Sequence, residues 1–145
     1  MKALFVGVNA KFIHSNLAIR YIKKYAENQG VVVDTAEYTI NQSVDFILDG
    51  ILNQYPDLIG FSCYLWNIEI IKKLVVILKQ IRPDCRIVLG GPEVSYDTKV
   101  LLESLDDVDY IIAGEGEVSA TNLVKHIRDN LPIEGLSLIH ISEPT

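Results

Sequence analysis

Cysteine is scarce in this chain: Cys63 and Cys85 are the only two. They cannot build a disulfide framework, they fit a reducing cytoplasm, and they exclude a thiolate-held iron–sulfur cluster of the usual kind within these residues. Positive charge is also short, with 13 Lys and Arg against 19 Asp and Glu and a net charge of −6. A general nucleic-acid surface needs the opposite balance, so Lys72, Lys73 and Lys79 read as a solvated helix face. No apolar run approaches the roughly 20 residues that span a bilayer. Met1-Lys2 leads straight into a strand-like segment, without the pattern of a signal peptide. There is no Gly-x-Gly-x-x-Gly after the first strand, no Gly-Lys-Ser or Gly-Lys-Thr, and no Ser-His-Asp arrangement that can be placed.

What remains is a chain of 145 residues, 49% apolar and 22% charged, enough for one domain with a sizeable core. Apolar, β-branched runs at residues 3–8, 31–38, 58–64, 86–89 and 110–113 read as strands. Amphipathic stretches lie between and after them. Ser15 is a fair N-cap for a helix over residues 16–28, with Ala18, Ile22, Tyr25 and Ala26 as its apolar stripe. Ser43 can cap a second, and Asn67 opens a third whose buried stripe is Ile71, Leu74, Val75, Leu78 and Ile81. Residues 98–105 and 119–129 supply the fourth and fifth. Strand and helix alternating five times predict an α/β, flavodoxin-like three-layer Rossmann-type fold, with a five-stranded parallel sheet in the order 2-1-3-4-5.

The organising stretch is Arg86-Ile87-Val88-Leu89-Gly90-Gly91-Pro92-Glu93. A buried strand ends here in two glycines, and Pro92 forbids further pairing. In open α/β sheets the carboxyl ends of the strands are where ligands bind, and two residues without Cβ leave room there. Three other features share that edge: the loop Asn9-Ala10-Lys11-Phe12-Ile13-His14 with Ser15 behind it, the run Ser62-Cys63-Tyr64, and the turn Gly114-Glu115-Gly116-Glu117.

In this order and spacing the features resemble the cobalamin-binding domain that precedes the radical S-adenosylmethionine domain in a large enzyme family. The resemblance covers residues 3 to about 130. Its most specific part is Val108-Asp109-Tyr110-Ile111-Ile112-Ala113-Gly114-Glu115-Gly116-Glu117, with Gly90-Gly91-Pro92-Glu93 and Leu58-Ile59-Gly60-Phe61-Ser62 beside it. It implies a corrin lying across the carboxyl ends of the strands and a nucleotide tail passing between sheet and helices. Gly90 and Gly91 would then admit the tail, Ser62 would hydrogen-bond inside its pocket and Tyr64 would form a wall. Asn9, His14, Ser15, Cys63, Pro92, Glu93, Gly114, Glu115 and Gly116 complete the implied cobalamin contacts.

In related methionine-synthase-like domains the cobalt ligand comes from Asp-x-His-x-x-Gly. Laid on this chain, the histidine is His14, but Phe12 and Leu17 stand at the aspartate and glycine positions. His14 is therefore a candidate cobalt ligand that lacks the carboxylate to orient it, and cobalt without a protein imidazole is the expectation. The resemblance further implies S-adenosylmethionine and a [4Fe-4S] cluster in the parent protein, which would transfer a methyl group or rearrange a substrate. The Cys-x-x-x-Cys-x-x-Cys triplet for the cluster is absent from these residues, so they are not expected to turn anything over alone. The competing reading is a flavodoxin-like signalling or regulatory module without a cofactor. A phosphoacceptor receiver would want an aspartate where Ser62-Cys63-Tyr64 stands. A flavin carrier would want a hydroxyl-rich phosphate loop after strand one.

Residues 136–145, Leu-Ser-Leu-Ile-His-Ile-Ser-Glu-Pro-Thr, break the pattern. They resemble one reading frame of a transposase sequencing adapter. The expected domain is therefore residues 1–135, followed by a tail that is not native, with the true protein continuing beyond about Gly135. The alternative is a sixth strand at residues 136–141, which their apolar alternation permits.

Overall fold

A computed structural model describes residues 1–10 and 16–142. The sheet runs β2-β1-β3-β4-β5-β6. Its strands are β1 (Ala3–Asn9), β2 (Asp34–Thr39), β3 (Leu58–Ser62), β4 (Arg86–Gly90), β5 (Tyr110–Ile112) and β6 (Ile139–Ile141). The first five pair in parallel, as the alternation predicts, and the last joins β5 antiparallel. The sixth strand corrects the five-stranded expectation. It forms because Ile139 and Ile141 fall on one side of the pleat and cover part of the core, a property of the pattern whatever the segment's origin.

Helices α1 (Leu17–Asn28), α2 (Val44–Leu52), α3 (Ile68–Ile81), α4 (Thr98–Ser104) and α5 (Glu117–Arg128) follow the strands. Alternate strand residues split into two cores. Leu4, Val6, Ile59, Phe61, Ile87, Leu89 and Ile111 face α2 and α3. Ala3, Phe5, Leu58, Val88, Tyr110 and Ile112 face α1 and α5. The central strands are apolar on successive residues because they are buried on both faces.

The helix ends differ in detail from the sequence reading. Ser43 caps α2 as expected, its hydroxyl accepting from the Phe46 N–H at 3.1 Å. The cap of α1 is Asn16, not Ser15: its Oδ1 accepts from the Ile19 N–H at 3.2 Å. Ile19, which is missing from the predicted stripe, is the residue that α1 buries with Ala26. On α3 the buried stripe stops at Leu78, and Ile81 is exposed. Lys79 is not solvated. Its ammonium reaches the Asp109 carboxylate at 2.8 Å and the Cys85 carbonyl at 2.6 Å, tying α3 to the amino-terminal side of the sheet.

Candidate functional site

The two middle strands, β3 and β4, carry their smallest residues on the face toward α1 and α5. Gly60 lies opposite Val88, and Ser62 opposite Gly90. Phe5 of β1 is in register with Gly60, and its ring occupies the space above that glycine: a Cβ on Gly60 would stand 2.5 Å from Phe5 Cδ1. Helices α1 and α5 pack on each other without filling this trench. What is left is a cavity of about 520 Å³, walled by Ile19 and Ile22 of α1 and Ala120 of α5. The register sets its depth. Phe5, Gly60 and Val88 form the floor, and Ser62 and Gly90 stand one side-chain step, roughly 7 Å, nearer the mouth.

The mouth is built from two turns. Gly91 has φ +100° and ψ 175°, a conformation almost confined to glycine. A Cβ there would meet the Cys63 carbonyl oxygen at 2.5 Å. The Cys63 N–H donates to the Gly90 carbonyl at 2.7 Å, and the Glu93 N–H to the Cys63 carbonyl at 3.2 Å. These bonds lace the ends of β3 and β4 together. Gly90 is different: a Cβ on it would find no atom nearer than 4.0 Å, at Ile112. The Ser95 hydroxyl donates to the Gly91 carbonyl at 2.8 Å and accepts from the Gly114 N–H at 3.2 Å, joining the β4 turn to the β5 turn.

Of the residues singled out in the sequence, Ser62 and Tyr64 at the end of β3 line the cavity, as do Gly90, Gly91 and Pro92. The turn after β5 contributes Gly114, Glu115 and Gly116. Three residues go elsewhere. The Asn9 amide is engaged by Glu37 of the edge strand at 3.3 Å. The Cys63 side chain lies in the core under α3, on the opposite face of the sheet, and burial pushes its thiol far up. Glu93 is exposed beside the turn. His14 and Ser15 lie outside the described residues. Burial likewise pushes the Cys85 thiol up to about 11, so both thiols are neutral at pH 7. Among the described residues no cluster of His, Cys, Asp and Glu is arranged to hold a metal ion.

The sequence reading missed Phe5 and Val88 as floor, Ser95 as tie, and the pair Trp66 and Asn67. Asn67 is fully buried, and its amide does not cap α3. It donates at 3.0 Å to both the Val8 and Ser62 carbonyls and accepts from the Tyr64 N–H at 2.8 Å. An apolar replacement would take this partner from the Ser62 carbonyl and the Tyr64 N–H and leave the Val8 carbonyl to Trp66 alone, a loss of about 1–3 kcal/mol for each group that stays buried and unpaired. Trp66 stacks on Tyr64, with centroids 4.5 Å apart and planes 5° from parallel. Its indole N–H donates to the Val8 carbonyl at 3.3 Å, yet about half of the residue is exposed at the strand ends. An Asn directly behind an aromatic at a strand end was the available signal.

The arrangement is suited to holding a ligand rather than to reacting with one. The cavity is mainly apolar, and Ser62, 7% exposed, presents there a hydroxyl with no hydrogen-bond partner among the described residues. Since no buried side-chain polar atom of the described residues lacks a partner, this hydroxyl is one that reaches open cavity space, where an acceptor from outside the chain can meet it.

A family profile described as the B12 binding domain matches residues 3–124. The cobalamin-dependent radical SAM methyltransferase TokK of Streptomyces tokunonensis is 30% identical over 148 residues, 94% of this chain and 21% of the relative. The chain thus spans about a fifth of the length of the curated relatives it matches. Among solved structures, the cobalamin-dependent S-adenosylmethionine radical enzyme OxsB with aqua-cobalamin and S-adenosylmethionine bound aligns with TM-score 0.77. It is 17% identical, and the alignment covers all of this chain and 23% of that one. A CheY-like protein, TadZ, from Pseudomonas aeruginosa PAO1 aligns with TM-score 0.59 at 18% identity, over 91% of this chain and 98% of that one. Likeness at these identities establishes the fold, and a fold does not choose a ligand.

Proposed function

The chain belongs to the B12-binding domain family, and we propose that its cavity receives the nucleotide tail of cobalamin while the corrin rests on the carboxyl edge of the sheet. The observation that carries this reading is the trench itself: an open Gly90, a bare Gly60 under Phe5, and the unpartnered Ser62 hydroxyl between them. These residues fit a long group that enters from the mouth and ends in an apolar ring. When bound, the corrinoid supplies a cobalt centre able to carry an alkyl group. The chain's own residues bind and orient. Ser62 donates to the tail, Gly90 leaves its path clear, and Tyr64 with Trp66 forms an aromatic platform beside the mouth. Asn9, His14, Ser15, Cys63 and Glu93 complete the proposed contact set. For Cys63 the contribution is its backbone, which fixes the Gly90-Gly91 turn.

In the parent protein the domain would present cobalamin to an adjoining radical S-adenosylmethionine domain for methyl transfer or related radical chemistry. S-adenosylmethionine and the [4Fe-4S] cluster would be held by that domain, whose cysteine triplet lies outside these residues. Titration of the chain with hydroxocobalamin tests the reading. Trp66 is the only tryptophan, so its fluorescence should be quenched saturably. Cobinamide, which lacks the nucleotide, should bind more weakly. Equal affinity for the two would take the tail out of the cavity.

A further inference from the structure

Corrinoids that share the same ring differ in the heterocycle that ends the nucleotide tail, which can be a benzimidazole or a purine such as adenine. Resting on the reading that the tail enters the cavity, we infer that the Phe5–Gly60–Val88 floor is a specificity element: it selects corrinoids carrying a benzimidazole base over those carrying adenine.

The argument is one of unmatched polar groups. Phe5 and Val88 are 4% and 2% exposed, and Gly60 between them has no side chain. The backbone groups of this row belong to the ladders joining β1, β3 and β4. The walls beside the floor are Ile19, Ile22 and Ala120, with Ile112 next to Gly90. Of the other polar lining residues, Tyr21 of α1 is 55% exposed, and Tyr64, Ser95, Glu115 and Glu117 belong to the loops at the carboxyl edge or the first turn of α5. Among the described residues, Ser62 is therefore the one buried polar side chain that lines the cavity.

A dimethylbenzimidazole joined to its ribose has one free ring nitrogen, an acceptor, and two methyl groups. One hydroxyl donor and an apolar floor match that inventory. Adenine brings an exocyclic amine with two N–H donors and further ring acceptors. Against Phe5, Val88 and Ile112 these would be buried without partners, and a buried donor without an acceptor costs its hydration. Phe5 also closes the trench from below, so the purine cannot escape the mismatch by sliding deeper.

Discrimination by an apolar wall against one added polar group typically lies in the range of roughly 10- to 100-fold. The test compares three probes on the intact 145-residue chain by Trp66 fluorescence: hydroxocobalamin, its adenine-base analogue, and cobinamide. Cobalamin should bind about tenfold or more tightly than the adenine analogue. Val88→Thr, which places a hydroxyl in the floor at nearly constant volume, should narrow that gap while its circular dichroism stays that of the parent. Equal affinity for the two complete corrinoids, both tighter than cobinamide, would overturn the inference and leave tail insertion standing. Cobinamide binding as tightly as cobalamin, or no binding of any probe, would overturn tail insertion and the inference with it.

Discussion

At the scale of single residues, Gly90 and Gly91 are adjacent and do different work. The double glycine is legible in the sequence, and there the two positions carry one role, clearance for the tail. The structure separates them because φ and the neighbouring backbone are not written in residue type. Gly90 has ordinary strand geometry and empty space where a Cβ would go, whereas Gly91 has φ +100° and the Cys63 backbone at 2.5 Å. Gly91→Ala should therefore be a stability variant, losing about 1–3 kcal/mol from strained backbone and lowering the urea midpoint. Gly90→Leu should fold with a near-parental midpoint and fail to bind cobalamin, because its side chain fills the trench beside Ser62. A Gly90→Leu protein that is folded and binds normally would remove Gly90 from the tail's path. Of the three candidates whose side chains lie elsewhere, Asn9 shares the cavity face with Phe5 and is drawn aside by Glu37, Glu93 is exposed, and Cys63 alone is lost to the opposite face. Strand residues alternate faces, and a sequence shows which residues end a strand more readily than which face each one takes.

At the scale of elements, α1 is one wall of the cavity, and a single carboxylate fastens its first turn to the sheet edge. Glu37 of β2 accepts from the Asn16 N–H at 2.6 Å, the Arg20 guanidinium at 3.0 Å and the Asn9 amide at 3.3 Å. Burial by itself pushes the Glu37 carboxyl up. The Asn16 N–H, Arg20 and Asn9 together outweigh it and hold the group below its ordinary value of 4.5. A carboxyl depressed in the folded state stabilises above its unfolded value, and that stabilisation is lost as pH falls through the folded value. The stability difference between the parent and Glu37→Gln should thus be present at pH 7 and shrink from about pH 5 towards pH 3. Urea unfolding across that range reads it, and a pH-independent difference would leave Glu37 without this role. Cobalamin affinity should weaken over the same interval in the parent, since α1 carries Ala18, Ile19, Tyr21 and Ile22 into the cavity. The elements were largely legible: five βα alternations and their order follow from apolar period. Their fastenings were not. Glu37, Lys79 and Asn67 read as ordinary polar residues until the strands that they reach are known, because each has a partner at least 21 positions away along the chain.

At the scale of the whole molecule, the open question is what residues 136–145 contribute. Strand β6 pairs with β5, the Ala113 N–H donates to the Leu138 carbonyl at 2.9 Å, and the Ser142 N–H to the Asp109 carbonyl at 2.8 Å. Ile139 and Ile141 are only partly buried against the α1 and α5 core. Against these gains stands Leu138, held at φ +65° and 54% exposed immediately before the strand. A leucine in the left-handed region costs about 1–2 kcal/mol, and the position suits Gly or Asn. Ordering the segment costs a further 1–2 kcal/mol or so per residue in backbone entropy. Strand pairing and two half-covered isoleucines are therefore nearly offset, and the local conflict at Leu138 supports the proposal that this decapeptide was not selected for this fold. None of its described residues lines the cavity. A chain ending at Gly135 should consequently keep its circular dichroism, lose no more than about 2 kcal/mol of stability, and bind hydroxocobalamin within about twofold of the full chain. The bare edge of β5 would then be free to take whatever segment follows in the parent protein. Collapse of the shortened chain, or loss of its cobalamin binding, would make residues 136–142 an integral part of the domain.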